Sequence, residues 1–205
     1  GDAITTGSYN VTIGANGGGG ITTGDQNIAI GQGSMNAACT GNTNTTVGDS
    51  ALAANTSGSD NTVVGAAAMN ANTTGANNTA IGRDALDANT TADHNVAVGK
   101  ESMTTNTTGA NNTAVGNFSL GLATTASNNT AVGYSALLSN TTGAQNTAVG
   151  NSAADALTTG SNNCGFGYEA LGKATTGGDN TAMGRAAALD NTTGAGNVAV
   201  GNEAL

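Results

Sequence analysis

Few residues of this chain carry side chains that commonly do chemistry. His94 is the single histidine, and the chain has two cysteines and no Trp. A catalytic base needs hydrogen-bonding partners and a pocket. His94 stands in a variable position just before an Asn, and no Ser/His/Asp motif accompanies it. We therefore predict that His94 is a solvated turn residue and that the chain is not an enzyme.

The two cysteines, Cys39 and Cys164, are 125 residues apart. In the stacked architecture derived below, that separation corresponds to more than seven coils, or over ~30 Å at the spacing of paired strands. A disulfide requires Cα atoms within about 7 Å, so an intrachain bond is excluded. We interpret both cysteines as small substitutes for the Thr of the consensus at their positions.

The acidic residues scatter over the repeat, and the two columns that hold several of them are not filled coil after coil. Calcium-binding β-rolls need an Asp in the same position coil after coil. Basic residues also stand beside the second group, which indicates local charge balance, and we predict no metal and no cofactor. The first group is Asp87 and Asp155, with Asp190 one position later in its repeat; the second is Asp84, Glu101, Glu169 and Glu203, with Arg83, Lys100 and Arg185 nearby.

The tripeptide Asn-Thr-Thr occurs repeatedly and matches the acceptor pattern for N-glycosylation. Because the repeat itself generates these matches, we attribute them to structure rather than to modification. They begin at Asn72, Asn89, Asn106, Asn140 and Asn191.

The net charge is −9, with only four Lys and Arg residues. A nucleic-acid-binding surface needs a basic patch, and an anionic membrane surface attracts basic residues for the same reason. No apolar run approaches the ~20 residues that span a bilayer. We predict no contact with nucleic acid or membrane, and we expect the chain to be a fragment of a longer fibre.

A glycine recurs every 17 residues, twelve times, without an insertion or deletion. Each of these glycines, called corner glycines below, follows a phrase such as "NTAV" and opens the consensus G-x-x-A-L-x-x-N-T-T-G-x-x-N-T-A-V. Such a locked period predicts that every repeat occupies the same place in a stack. The corner glycines are Gly14, Gly31, Gly48, Gly65, Gly82, Gly99, Gly116, Gly133, Gly150, Gly167, Gly184 and Gly201.

Seventeen residues are too few for a helical-pair repeat, and fixed Gly and Thr positions oppose helix. The sequence therefore predicts an all-β chain, a parallel β-solenoid or β-roll of twelve 17-residue coils that forms a single domain over residues 1–205. A narrow coil filled by Ala, Val and Leu also explains the scarcity of aromatic residues.

Three columns of the repeat are assigned structural roles. Asn four residues before each corner glycine should form an amide ladder between coils, and the glycines should provide positive φ or close approach. The bulky residue before each glycine, and the Leu or Met four residues after it, should fill the core; the latter marks a second short strand or an apolar corner. The ladder set is Asn78, Asn95, Asn112, Asn129, Asn146, Gly82, Gly99, Gly116, Gly133 and Gly150; the core set is Ile81, Val98, Val115, Val132, Val149, Leu86, Leu120 and Leu137.

The segment G-x-N-N-T-A-V-G, as in Gly109–Gly116, resembles the G-x-N-S-V-A-I-G repeat of YadA-like heads in trimeric autotransporter adhesins. The resemblance covers all twelve copies and implies a left-handed β-roll in which three chains pack around one axis. It also implies a place on a bacterial outer membrane and binding to host matrix or cells. This repeat is three residues longer than the family's usual turn, with the addition around Ala88–Thr91.

We therefore expect a structural or adhesive segment of an extracellular surface fibre, most simply a homotrimer, with an unidentified receptor or matrix partner. Related repeats in phage tail fibres make a virion fibre the first alternative. The Thr columns raise a second alternative, an ice-binding solenoid. That function favours T-x-T, which points both Thr to one face, whereas the Thr pairs of this consensus are adjacent.

Overall fold

In the computed structural model, which describes residues 3–205, the regular secondary structure consists of twelve three-residue strands and no helix. Residues 1 and 2 of the predicted domain lie outside the described range. The strands are β1 (Val11–Ile13), β2 (Ile28–Ile30), β3 (Thr45–Val47), β4 (Thr62–Val64), β5 (Thr79–Ile81), β6 (Val96–Val98), β7 (Thr113–Val115), β8 (Thr130–Val132), β9 (Thr147–Val149), β10 (Cys164–Phe166), β11 (Thr181–Met183) and β12 (Val198–Val200).

Each strand pairs in parallel with the next one along the chain, in the order β1 to β12. Partners are 17 residues apart, as in the pairing of Thr113 with Thr130 and Val115 with Val132. The predicted all-β parallel solenoid is confirmed, with about eleven turns between the first strand and the last. At about 4.8 Å per step, the stack of strands is about 53 Å long.

The interior is filled by the middle residue of each strand and by the Leu or Met column. Ala114 and Leu120 of one coil are both fully buried, as are Ala131 and Leu137 of the next. The Leu or Met column lies in a turn rather than in a strand, so it forms the apolar corner of the two possibilities raised above. The core is therefore a continuous row of small and medium side chains along the rod.

The predicted core position of five residues is wrong. Ile81, Val98, Val115, Val132 and Val149 are the third residues of their strands and lie on the outer face, where Ile81 is 39% exposed, Val115 is 37% exposed and the others are half-buried. The small middle residue points inward instead.

The reason for this orientation is the short distance across the coil. A methyl group built on Gly165, the middle residue of β10, would lie 3.3 Å from the carbonyl oxygen of Ala170 and 3.5 Å from a methyl carbon of Leu171. The Leu corner therefore already occupies most of the space opposite the strand, and Ala suits what remains.

The Leu or Met corner has left-handed backbone geometry. These residues have φ of 48–57°, as at Met35, Leu86 and Leu120. β-Branched side chains are strongly disfavoured in this region, and no Val, Ile or Thr stands in this column in any repeat. The choice of Leu, Met or Ala at the corner thus follows from the backbone as well as from the volume to be filled.

The corner glycines have both of the properties expected of them. Their φ lies between 117° and 146°. A β-carbon on Gly116 would also lie 2.4 Å from the carbonyl oxygen of Gly133 in the next coil. Any side chain at this position would push neighbouring coils apart.

Candidate functional surfaces

The Asn residues predicted to form a ladder are buried and connect successive coils. The backbone N–H of Asn112 donates to Oδ1 of Asn95 at 3.0 Å, and its Nδ2 donates to that oxygen at 3.2 Å and to the Ala126 carbonyl at 2.8 Å. Oδ1 of Asn112 in turn accepts from the backbone N–H of Asn129 at 2.9 Å. Asn78 and Asn146 repeat the backbone contact to the Asn of the preceding coil. This column holds coils together and offers no free group to a ligand.

A second Asn ladder, which sequence reasoning missed, runs through the Asn-Thr-Thr column. Nδ2 of Asn89 donates to Oδ1 of Asn72 at 2.8 Å, and Nδ2 of Asn106 donates to Oδ1 of Asn89 at 3.3 Å. Asn72, Asn89, Asn106 and Asn140 are fully buried, so they cannot carry a glycan in the folded chain. The sequence feature that could have indicated this ladder is the column of Asn itself, because an exposed turn does not require the same residue type in successive coils.

The second ladder has two gaps. Each Oδ1 accepts from the coil that follows, but Ala123 and Leu157 stand where the next Asn would be. Accordingly, Oδ1 of Asn106 and Oδ1 of Asn140 are buried without a hydrogen-bond partner. A buried acceptor left unpaired in this way costs about 1–3 kcal/mol.

The first and third residues of the strands form a continuous outer stripe. In β7 these are Thr113 and Val115, and the same two columns run through every coil, with Thr, Val, Ile or Cys in the first and a larger apolar residue in the third. Third-column residues more than a third exposed are Ile13, Val47, Val64, Ile81, Val115, Phe166, Met183 and Val200. The remaining members of this column are half-buried, and a long row of apolar side chains at the surface is typical of a contact surface.

Aromatic rings collect at the corner next to this stripe. The Tyr134 ring meets Phe118 edge to face, with centroids 5.8 Å apart, and Nζ of Lys100 lies 5.4 Å from the centroid of Phe118. Tyr134 and Tyr168 are about half exposed, two coils apart in the column directly after the corner glycine, and Asn151 stands between them. We call Lys100, Phe118, Tyr134, Asn151 and Tyr168 the aromatic edge.

A shallow groove of about 440 Å³ lies beside Tyr168, at the C-terminal end of the aromatic edge. Burial is the main cause of the raised pKa of Asp155, and the nearby Glu169 carboxylate adds to it. Glu169 also raises the pKa of Tyr168, first by a hydrogen bond and then by its charge. Nζ of Lys173 contacts Oδ1 of Asp190 at 2.6 Å. The groove is lined by Asp155, Glu169, Gly172, Lys173 and Leu189.

The single histidine is not part of this groove. His94 is exposed on a turn with φ of 59°, in the column before the first Asn ladder where Asn and Asp are common. Its backbone N–H donates to the Ala76 carbonyl at 3.2 Å. The structure thus places His94 at a left-handed turn, a position that Asn, Asp and His tolerate better than most residues.

Both cysteines are free, but they differ in environment. Cys164 lies in the first column of the outer stripe, as its sequence position indicated. Cys39 instead turns inward: it pairs with Ile21, 18 residues earlier rather than 17, and its Sγ lies 3.3 Å from Nδ2 of Asn55. Burial raises the pKa of the Cys39 thiol. Because of the one-residue shift, Ala38 faces solvent.

The basic residues are paired with neighbouring acids. Glu101 lies 3.0 Å from Lys100 and 3.4 Å from Arg83, and both contacts lower its pKa, Lys100 by more. Arg185 pairs with Glu203. Within residues 3–205, no group of three or more His, Cys, Asp or Glu residues is arranged to hold a metal ion, and no helix is long and apolar enough to cross a membrane.

Comparison of the chain with protein-family models, curated proteins and solved structures finds no match. Its functional interpretation therefore rests on the surfaces described above and on the repeat itself.

Proposed function

We propose that this chain is a non-enzymatic structural and adhesive segment of an extracellular surface fibre, and that it assembles as a homotrimer through the outer stripe. The observation that carries this proposal is the row of Val, Ile, Phe and Met side chains on the outer face of the rod, most of which are more than a third exposed and the rest half-buried. A fibre that stands on a cell or virion surface would cover this row with copies of itself and present its variable turns to partners.

The size of the stripe fits such an assembly. Two columns about 10 Å wide over a length of about 53 Å give about 500 Å² for each chain, at the spacing of strands and of residues along them. Three such stripes facing one axis bury about 1,500 Å² in total, which lies within the range of specific protein–protein interfaces. Because the same column repeats in every coil, three identical chains could align along their whole length.

The variable positions of the repeat support an adhesive role. Arg83, Asp84, Asn117 and Phe118 all lie directly after corner glycines, outside the ladders and the core. A rod that offers many such turns binds through several weak contacts at once, and linked contacts raise the overall affinity.

The test is the oligomeric state of Val115→Asp. Val115 is exposed in the single chain, so the coil should still fold, but a carboxylate in the stripe should dissociate the trimer. Multi-angle light scattering and circular dichroism measure the two properties separately. Val115→Thr, which keeps a β-branched residue of similar size, is the control. A wild-type chain that is monomeric at micromolar concentration would refute the assembly.

One observation favours ice binding as a second candidate. The strands present Thr and Val to the same face with one residue between them, as in Thr113 and Val115. The outer stripe is thus a regular array of hydroxyl and methyl groups repeated at the strand spacing, in place of the T-x-T pattern that ice binding favours. Thermal hysteresis of the monomeric protein tests this candidate, and its absence removes it.

A further inference from the structure

The aromatic residues of this chain are concentrated in one region. The consensus repeat contains none, and the chain has only five. Four of these lie between the seventh and tenth corner glycines or immediately beyond the tenth, at the corner or on the neighbouring stripe: Phe118, Tyr134, Phe166 and Tyr168. Exposed rings gathered on an otherwise small-residue rod indicate a local function rather than a need of the fold, since the other coils close without them.

The spacing of the two tyrosines is set by the stack. Tyr134 and Tyr168 occupy the same column two coils apart, which is about 9.6 Å along the rod. The intervening coil carries Asn151, a short side chain that leaves the space between the rings open. Phe118 packs edge to face against the ring of Tyr134 and so holds that ring in place.

The groove adds polar groups next to the ring of Tyr168. It combines the carboxylates of Asp155 and Glu169 with the ammonium of Lys173 over a floor that includes Gly172. A β-carbon on Gly172 would lie 3.0 Å from a methyl carbon of Leu189, so a larger residue would crowd the floor. The groove is shallow, which suits a polar ligand that keeps part of its hydration.

We propose that Tyr134, Tyr168 and this groove bind a linear, uncharged oligosaccharide of β-linked pyranose rings that lies along the rod axis. The inference rests on the adhesive function proposed above and names the chemical class of its partner. In an extended β-1,4-linked glycan, every second ring presents the same face, and this two-ring repeat is close to the two-coil spacing of the tyrosines. Each tyrosine would stack on one such ring, while Asn151 would hydrogen-bond the ring between them.

The chemistry of the groove favours a neutral sugar over other ligands. Adjacent hydroxyl groups of a sugar both donate and accept hydrogen bonds, so they match a groove that holds carboxylates and an ammonium group. Asp155, Glu169 and the net charge of −9 oppose an anionic glycan or a nucleic acid. Tyr supplies an apolar ring with a polar tip, as a ligand with C–H faces and hydroxyl edges requires.

Isothermal titration with cellohexaose and chitohexaose tests the proposal, with the α-linked maltohexaose as the comparison ligand. At least one β-linked hexasaccharide should bind more tightly than maltohexaose. Loss of each ring in Tyr134→Ala or Tyr168→Ala should weaken binding by roughly tenfold, as expected for one stacking contact. Tyr9→Ala is the matched control, because Tyr9 is exposed far from the groove, and it should bind as the wild type does.

A second variant tests the spacing while it keeps the composition. The double substitution Tyr134→Asn with Asn151→Tyr brings the two tyrosines into adjacent coils, about 4.8 Å apart. This protein should bind at least as weakly as Tyr134→Ala, with unchanged circular dichroism and oligomeric state. Unweakened binding in this protein would overturn the proposal. Equal losses in Tyr9→Ala, or no binding of any hexasaccharide by the wild type, would also overturn it.

The outcomes separate this inference from the proposed fibre. A trimer that binds no hexasaccharide refutes the glycan site alone. A monomer that binds a β-linked hexasaccharide through both tyrosines refutes the fibre assembly and leaves the site standing. Binding of a protein ligand that is unaffected by Tyr168→Ala, without glycan binding, would assign adhesion to another surface and refute the site.

Discussion

Ala123→Asn should stabilise the rod, although it places a polar side chain in a buried position. Ala123 is fully buried and stands in the gap of the second Asn ladder, between Asn106 and Asn140. The new Nδ2 would donate to Oδ1 of Asn106, which has no partner, and to the carbonyl of Ala126. The new Oδ1 would accept from Nδ2 of Asn140. Asn89 shows that this geometry tolerates Ala three residues later, since its Nδ2 donates to the Ala92 carbonyl at 3.1 Å.

The magnitude follows from these three contacts. Each hydrogen bond contributes about 1 kcal/mol net, and the unpaired oxygen of Asn106 costs about 1–3 kcal/mol at present. Against this stand the desolvation and ordering of the new amide, of similar size to two of the bonds. When the relief of the Asn106 oxygen is counted in place of the bond that provides it, a net gain of about 1–3 kcal/mol remains. For a chain of this length that gain corresponds to a rise of roughly 2–12 °C in the midpoint of thermal unfolding.

Differential scanning calorimetry of Ala123→Asn and Ala174→Asn at equal concentration measures the effect. Ala174 occupies the same column, but the coil before it carries Leu157, so an Asn at 174 would meet no unpaired oxygen. The new side chain would gain hydrogen bonds only with the Gly177 carbonyl and Asn191, and one of its N–H groups would face an apolar side chain. The midpoint of thermal unfolding of Ala174→Asn should therefore barely change. If Ala123→Asn is no more stable than Ala174→Asn, the unpaired oxygen does not carry the cost assigned to it.

Three further outcomes are expected. Leu120→Ile should lower the free energy of unfolding by about 2 kcal/mol, because a β-branched residue is strained at the φ of 52° found there. Leu120→Met should lower it by less than about 1.5 kcal/mol. Urea unfolding compares the two variants, and equal losses would contradict the argument from backbone strain. Burial raises the pKa of Asp155, so the ionised form destabilises the fold. Asp155→Asn should therefore be more stable at pH 7 by under about 1 kcal/mol, because the side chain is only partly buried. That gain should vanish as the pH falls below about 3, where the carboxyl is protonated in both states; a gain that persisted there would have another origin. In the monomeric Val115→Asp protein, where the outer stripe is uncovered, Ellman's reagent should modify Cys164 and should reach Cys39 only after denaturation; early modification of Cys39 would contradict its inward position.

The period of the sequence was enough to predict the fold, because a repeat without insertions can satisfy the backbone of every coil only by stacking in register. It was not enough to decide which face of each strand points inward. Alternation distinguishes two faces, but Ala114 and Val115 are both apolar, and the deciding quantity is the distance to the Leu corner opposite. The absence of β-branched residues from that corner was the available clue, since it indicates a left-handed turn that folds Leu120 across the coil.

Two other features depended on side-chain direction, which the repeat alone does not specify. Asn89 and Asn106 were attributed to the structure of the repeat with no contact assigned to them, yet both point inward and bond to each other. Cys39 was expected to replace an outward Thr, but a one-residue shift against Ile21 turns it inward and exposes Ala38. Local shifts of this kind leave the 17-residue period unchanged, so they are invisible in the sequence pattern.

The uniform pairing of β1 to β12 also determines how the rod would respond to a pulling force applied at its ends. Every coil is attached to the next by nearly the same set of hydrogen bonds, so no coil is much stronger than its neighbours and tension would peel them one at a time. Each detached coil frees 17 residues, which extend to about 58 Å, in exchange for about 5 Å of rod. Single-molecule force spectroscopy should show steps of about 53 Å at similar forces; one large rupture would mean that the coils yield together. A fibre built in this way would lengthen under load in fixed increments, one coil at a time, and dissipate energy while its remaining coils stay folded.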